Sequence, residues 1–450
     1  MAKRRAPRRK KMPEPFQATV DRLNEQGRGV VEHDERVVFV SNALPGETVD
    51  VHVHNRWKGH GEGRAMAVAN PSAERVEPIC EHFNDCGGCA LQHWAPEAQI
   101  AFKDTVLETL IADAGVAQAE HRLQPLRGPQ QGYRRKARMG VRWVAAKDRV
   151  LVGFREIASN FLAVIDNCQV LDPRVGLHLT DIAAAIASTS IKDRIAQIEV
   201  AAGDQAVALV FRVLDPPSQQ DVARLVELGK RFGYHIWLQP KGPDTSHRIY
   251  PLTGPEWLSY EHPDYGLRMR FHPHDFTQVN APMNRSMMTQ ALALLELSAE
   301  DRVLDLFCGL GNFTLPLARL GADVQGFEGS EALVARAKEN AERNGLGTVP
   351  FAVADLYSDA FAARHLPKAE AVLLDPPRSG AEALCEDLAS TGARRVVYVS
   401  CNPKTLARDA AALQRQGYRL EASGIMDMFP HTNHVESMAL FIRTAPPSGA

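Results

Sequence analysis

The chain has 450 residues, 45% of them hydrophobic and 24% charged, and a net charge of −2. That balance fits a globular protein of two to four domains and excludes a collagen-like or wholly disordered chain. No apolar run reaches membrane-spanning length, and seven cysteines with no export signal before them argue against a disulfide framework and for a reducing, cytoplasmic setting.

Taken in order, the chain opens on "MAKRRAPRRKKMPEP", which holds seven Lys/Arg and no apolar core, so residues 1–13 read as a basic, disordered tail. Residues 14–75 alternate short β-branched runs with turns ("FQATVDRL", "GRAMAVANP"), the pattern of a small antiparallel OB-like β-barrel. Residues 76–274 predict an α+β region, with a helix near 97–114, strands within 134–144 and 197–214, and a helix near 219–232. Between His121 and Lys147 there are eight Lys/Arg and no Asp/Glu, with Tyr133 and Trp143 interleaved. Such a stretch suits RNA, cations meeting phosphates while rings stack on bases. A solvated strand face is the plainer alternative.

Four cysteines fall in this central region. Cys80, Cys86 and Cys89 form a C-x5-C-x2-C array, and Cys168 follows in "VIDNC". Four thiols in a reducing setting imply a metal site, zinc or iron–sulfur, against the alternative of free thiols.

From 275 to 445 the rhythm becomes strand–helix–strand. Apolar strands near 302–307, 322–328, 349–353, 370–375 and 395–400 alternate with helices such as "SEALVARAKENAERNG", and two more strands follow near 418–427 and 437–443. That predicts a doubly wound parallel sheet, the α/β Rossmann-like class. The first strand-to-helix turn, "VLDLFCGLGNFTLPLA", ends a strand at Asp305 and lets Gly309 and Gly311 bring backbone close to a ligand. The next strands end at Glu328, placed to accept from ribose hydroxyls, at Asp355, placed for an adenine amino group, and at Asp375. Four acidic strand ends favour a nucleoside over a pyrophosphate, and Thr314 stands where a dinucleotide fingerprint has its third glycine. S-adenosylmethionine therefore fits better than NAD.

The run "VVYVSCNPKT" puts Cys401 at the carboxyl edge of a buried strand, where open α/β sheets hold ligands. Cys308 and Cys385 read instead as packing residues. With "DPPRSG" at 375–380, "MDMFPHTNHVE" ending at Glu436 and "FHPHDFTQVN" at 271–280, the C-terminal half resembles the RNA uridine-5 methyltransferases. The resemblance implies Cys401 as nucleophile and Glu436 as general base. It also implies S-adenosylmethionine contacts from Gln278, Phe307, Asn312, Glu328, Asp355 and Asp375. His431 and His434 are possible supports of the site, and Arg378 an electrostatic helper to the thiol. Residues 14–75 resemble the TRAM barrel, and the cysteine spacing resembles the 4Fe–4S site of the ribosomal-RNA branch, which makes Cys80, Cys86, Cys89 and Cys168 cluster ligands. A monomer acting on a uridine of 23S ribosomal RNA, with no membrane partner, is the expectation.

Three other readings compete. Another rRNA uridine or a tRNA is the alternative substrate, but the tRNA enzymes lack both barrel and cluster. A radical methylthiotransferase needs a C-x3-C-x2-C array, which this chain does not have. A non-catalytic RNA-binding iron–sulfur module would show decay at Cys401 or Glu436, and both are present.

Overall fold

The computed structural model describes residues 13–298, 300–358 and 365–444. The basic tail expected over 1–13 lies outside them except for Pro13. The described chain divides into two compact bodies.

The first body holds residues 13–102, Phe154–Ala163 and His431–Asn433. Six strands, β1 (Phe16–Thr19), β2 (Arg22–Leu23), β3 (Gly29–His33), β4 (Arg36–Ser41), β5 (Thr48–Arg56) and β6 (His60–Val68), form one sheet in the order β1-β5-β6-β4-β3-β2. Alternation makes the core: along β5, Val49 and Val51 are buried while Asp50 and His52, each one residue on, face outward. They join Val31, Val38 and Val40 in an apolar cluster. The sheet is not wholly antiparallel as expected, because β4 pairs with β6 in parallel. The intervening β5 carries the chain across and then turns back as a hairpin with β6, so no crossover helix is needed.

The second body holds Lys103–Gly153, Val164–Pro430 and the residues from His434 on. The helix α1 (Pro96–Asp113) leads toward the short strand β7 (His121–Arg122). A six-stranded mixed sheet follows, built from β8 (Lys136–Val144), β9 (Arg149–Gly153), β10 (Ile195–Ala202), β11 (Val207–Val213), β12 (Tyr234–Gln239) and β13 (His247–Tyr250). Its helices are α2 (Pro173–Gly176), α3 (Leu179–Ala187) and α4 (Gln219–Phe232). A two-stranded ribbon, β14 (Leu258–His262) and β15 (Leu267–Phe271), precedes α5 (Ala281–Leu295).

The C-terminal sheet has eight strands. Its chain order is β16 (Arg302–Leu306), α6 (Thr314–Arg319), β17 (Asp323–Glu328), α7 (Glu331–Arg343), β18 (Phe351–Val353), β19 (Ala371–Leu374), α8 (Glu382–Cys385), β20 (Arg395–Ser400), α9 (Pro403–Arg415), β21 (Tyr418–Met426) and β22 (Glu436–Arg443). The strand order is β18-β17-β16-β19-β20-β22-β21-β7. The first five strands are parallel, as predicted, but β22 runs antiparallel between β20 and β21. Val303, Leu373, Val397, Met438 and Leu440 point to one face and meet Met287, Met288 and Leu295 of α5 in a common core. Among the described residues no helix is long and apolar enough to cross a membrane.

Candidate active site

The strand register brings the two expected catalytic residues together. Ser400, the last residue of β20, pairs with Ser437 of β22, so one step further along the antiparallel ladder sets Cys401 opposite Glu436. Because β22 is antiparallel, its first residue lies at the edge where the parallel strands end. Glu436 also pairs with Met426 of β21 and is 8% exposed. A carboxylate enclosed by two strands loses solvation, and burial, with the charge of Asp375 adding to it, pushes Glu436 up to about 8. Arg378 and Lys103 oppose that shift.

Cys401 is half-buried. Burial, then the nearby Glu436 and Asp375, push its thiol up to about 11, with Arg378 pulling the other way. At neutral pH these surroundings favour the thiol and the protonated acid, and a positive charge brought beside them would favour both ionised forms. Cys308 and Cys385 are buried, and burial raises both thiols well above the ordinary range, as suits the packing role read from the sequence.

The loops around the thiol are fixed locally. Asn402 caps α9, its side-chain oxygen accepting from the Lys404 N–H at 3.2 Å, while its amide donates to the Arg378 carbonyl at 2.9 Å. Ser400 Oγ accepts from the Asn402 N–H at 3.1 Å. Buried Asp409 on α9 accepts from the Ala381 N–H and from the Tyr398 hydroxyl, each at 2.6 Å. This brace explains Gly380, whose φ is +76° and where a Cβ would come within 2.5 Å of Asp409 Oδ2. His434 is held near 4 by burial and by Arg378, so it stays neutral, and its Nδ1 accepts from Arg378 Nη2 at 2.9 Å. The arginine is thereby aimed along the same edge.

The expected cofactor contacts are placed by the ends of β16, β17, β18 and β19. Phe307 (φ +66°), Gly309 (φ +57°) and Gly311 (φ +92°) carry the chain from β16 into α6 in left-handed steps. Glu328 ends β17; one oxygen accepts from the Gly309 N–H at 3.2 Å and the other from the Ser330 N–H at 2.9 Å. Asp375 follows β19, and its N–H donates to the Leu306 carbonyl at 3.3 Å. Burial, with Asp305 adding to it, raises its carboxyl to about 7. Asp355 is exposed and folded onto its own loop by the Tyr357 N–H. Gln278 is half-buried in the segment before α5.

Asn312 is different. Its amide oxygen accepts from Tyr260 Oη (3.0 Å) and Asn284 Nδ2 (3.0 Å) and lies 3.2 Å from His262 Nε2, and its nitrogen donates to Asn284 Oδ1 at 2.9 Å. That side chain is already engaged in a buried network beneath the loop.

Two contributors escaped the sequence reading. Thr314, read only as a missing glycine, donates from Oγ1 to Asp305 Oδ2 at 2.5 Å inside the core. Asp305 is fully buried, its other oxygen has no hydrogen-bond partner, and burial lifts it to about 7. Lys103 of α1 is 0% exposed; its Nζ donates to Asp427 Oδ1 at 2.7 Å and to the Phe429 carbonyl at 3.1 Å, anchoring the segment that leads to Glu436. Nothing local could reveal a pair 324 residues apart.

Of the cluster-type cysteines, Cys80, Cys86 and Cys89 lie in the first body and Cys168 in the second, all half-buried. The Gly88 N–H points at Cys86 Sγ from 3.4 Å. Cys168 donates its N–H to the Gly176 carbonyl at 2.8 Å, an approach so close that a Cβ at position 176 would meet the Cys168 oxygen at 2.3 Å.

Residues 96–444 match the family described as tRNA (Uracil-5-)-methyltransferase. The chain belongs to that family. Among curated relatives, it is 50% identical over 440 residues to the 23S rRNA (uracil(1939)-C(5))-methyltransferase RlmD of Hahella chejuensis, covering 96% of this chain and 99% of the relative. It is 51% identical to the protein of the same description from Alkalilimnicola ehrlichii, covering 97% and 99%. Among solved structures, the Pyrococcus abyssi tRNA (uracil-54, C5)-methyltransferase in complex with S-adenosyl-L-homocysteine is similar with a TM-score of 0.72 and 25% identity, covering 95% of this chain and 99% of that one. The uracil-5 family match begins at residue 96, so it leaves out the six-stranded sheet of the first body and three of the four cluster-type cysteines. The Pyrococcus abyssi tRNA enzyme covers 95% of this chain, so the expectation that tRNA enzymes lack the N-terminal region does not hold for it.

Proposed function

We propose that this chain is an S-adenosylmethionine-dependent enzyme that methylates carbon 5 of a uridine in 23S ribosomal RNA. The observation that carries the proposal is the antiparallel insertion of β22, which sets Glu436 opposite Cys401 at the edge where Asp375 and the β16 loop converge. The near-full-length relatives described as 23S rRNA methyltransferases support the substrate.

The acidic edge suits the donor. Burial raises Asp305 and Asp375 to near 7 and Glu436 to near 8, and a cation beside these carboxyls would favour their ionised forms. When bound, S-adenosylmethionine supplies a methyl group on a positively charged sulfur. Phe307, Glu328, Asp355, Asp375 and Gln278 would hold it, with Asn312 supporting the loop from below.

The protein's own residues then do three things. Cys401 adds as thiolate to carbon 6 of the uracil, which places electron density on carbon 5. Once carbon 5 bears the methyl group and its original proton, the Glu436 carboxylate takes that proton. The electrons of the carbon–hydrogen bond restore the ring double bond, and the carbon 6–sulfur bond breaks to release the thiolate. Burial suits Glu436 to this role, since a carboxylate with a raised pKa is a stronger base than a solvated one.

The remaining assignments belong to the same proposal. Residues 14–75 act as a TRAM-type RNA-holding barrel, 76–274 as an α+β region and 275–445 as the methyltransferase domain. Cys80, Cys86, Cys89 and Cys168 hold a 4Fe–4S cluster whose role is structural; the four-thiol set and the Gly88 N–H aimed at Cys86 support it. A chain purified without iron yet fully folded and active would refute the cluster. The protein works as a cytoplasmic monomer.

The test of the chemistry is Glu436→Gln. The substitution keeps the shape and removes the base, so methylated RNA should accumulate covalently on Cys401. A denaturing gel should show a slow band carrying labelled methyl, absent when Cys401→Ala is added. Normal turnover by Glu436→Gln would overturn the assignment.

A further inference from the structure

At the end of the second body opposite the catalytic edge there is a cavity of about 710 Å³ whose charged lining is arginine alone. Arg268 and Arg270 reach it from β15, Arg343 from the last turn of α7, and Trp257 and His235 form apolar wall. Topology fixes its distance from the chemistry. The helix α7 starts just after Glu328, at the edge where the parallel strands end, and runs back for 13 residues. At 1.5 Å per residue its far end lies about 20 Å away. A ligand seated there cannot be the target base or the methyl donor.

The charges in this cavity are not balanced from within. Among the described residues, neither the Arg270 nor the Arg343 guanidinium has an ion pair or a side-chain hydrogen bond. Arg268 bonds only to neutral groups, Ser259 Oγ and Gln205 Oε1, with Glu261 at 4.0 Å. Arg336, next on the same helix, is by contrast neutralised by Asp275 and Glu339 and lies flat on Trp257, 3.3 Å from its ring centre. Burial, then the repulsion of Arg343 and, behind it, of Arg336 and Arg268, disfavours the charge on Arg270, with Glu339 alone opposing them. His235 Nδ1 is buried on the same wall without a hydrogen-bond partner. Like charges held together against their own repulsion fit an anion that supplies the missing countercharge, and planar guanidinium groups match phosphate in two-point contacts.

We propose that this cavity is a second RNA contact, seating phosphodiester groups of the ribosomal RNA that lie outside the segment presenting the target uridine. The proposal rests on the reading that the chain acts on ribosomal RNA. It adds a grip about 20 Å from the reacting carbon, one that carries no base-edge readout and so anchors rather than selects.

The test is Arg270→Gln/Arg343→Gln, assayed on two transcripts: full-length 23S rRNA and the shortest fragment that the unaltered protein methylates. On the full-length transcript KM should rise about 10-fold with kcat unchanged. The log–log dependence of binding on salt should flatten by about 1.4, the share of two single-strand phosphates. On the short fragment both constants should stay as they were. An unchanged KM on the full-length RNA overturns the proposal, and so does an equal rise on both, which would report general surface charge. Arg343→Gln alone, at an exposed helix end, gives the same readout with a smaller rise if the double variant folds poorly. Should the unaltered protein methylate neither RNA, the reading of its substrate fails, and that outcome is distinct from either of the others.

Discussion

The two ends of the C-terminal sheet carry opposite kinds of electrostatic tension. At the catalytic edge, Asp305, Asp375 and Glu436 are gathered so that burial and mutual repulsion keep protons on them. At the other end, Arg268, Arg270 and Arg343 are gathered with only Glu339 and, at 4.0 Å from Arg268, Glu261 to offset them. Each arrangement is poorer on its own than with a partner of the opposite sign: a cationic methyl donor at one end, an RNA phosphate at the other. The acids answer the tension by holding protons. Arginine cannot shed its charge in that way, so its end keeps its full repulsion until an anion arrives.

The acidic edge depends most on Lys103, the buried cation that offsets it. Lys103→Met leaves Asp427 buried without its partner, and losing one member of a buried pair costs about 3–5 kcal/mol. Thermal unfolding should show a loss of that order. Because Lys103 also pulls Glu436 down, the pH at which methylation reaches half its maximum should move upward in any folded fraction.

A milder test is pH itself. Carboxyls whose folded pKa values are raised to about 7 and about 8 bind more protons folded than unfolded between the ordinary carboxylate range and those values. The protein without donor should therefore lose stability as pH rises from about 5 to 8. S-adenosylmethionine should bind more tightly across the same interval, since its positive charge stabilises the ionised carboxylates. Melting temperatures at pH 6 and pH 8, with and without the donor, check both signs. A gap between bound and unbound that narrows with pH would contradict the account.

The smallest expected effect sharpens the other end. Arg343→Gln, read in the absence of RNA, should leave stability unchanged or raise it by a few tenths of a kcal/mol, because it removes repulsion and breaks no ion pair. A clear loss on unfolding would mean that the arginine supports the fold.

Much of this edge was legible in the sequence for a simple reason. Parallel strands announce themselves as apolar runs, and a ligand-binding acid or thiol has to stand where such a run stops. Glu328, Asp355, Asp375 and Cys401 stand at such positions, whereas Asp305, expected to end its strand, lies inside β16 and is buried. Glu436 obeys it in reverse, at the start of an antiparallel strand, so only the motif around it pointed to a role. The direction of β22 was hidden because strand periodicity does not encode strand direction. The parallel pairing of β4 with β6 escaped for the same reason. Thr314, Lys103 and the arginine cavity were illegible for another: each depends on side chains from distant segments meeting in space. For Asn312 the motif gave the position but not the network that engages its amide.

The placement of Glu436 at the start of β22 also bears on how the protein comes into being. The proposed nucleophile is made with β20, but the proposed base comes only with the last strand of the described chain, whose place is between β20 and β21. Until that strand docks, the two neighbours have a gap where their ladders should be, and the edge has a thiol without its base. A growing chain, however much of its donor pocket has folded, would lack the residue proposed to release the adduct until that strand docks. Complete turnover is thereby tied to the docking of β22.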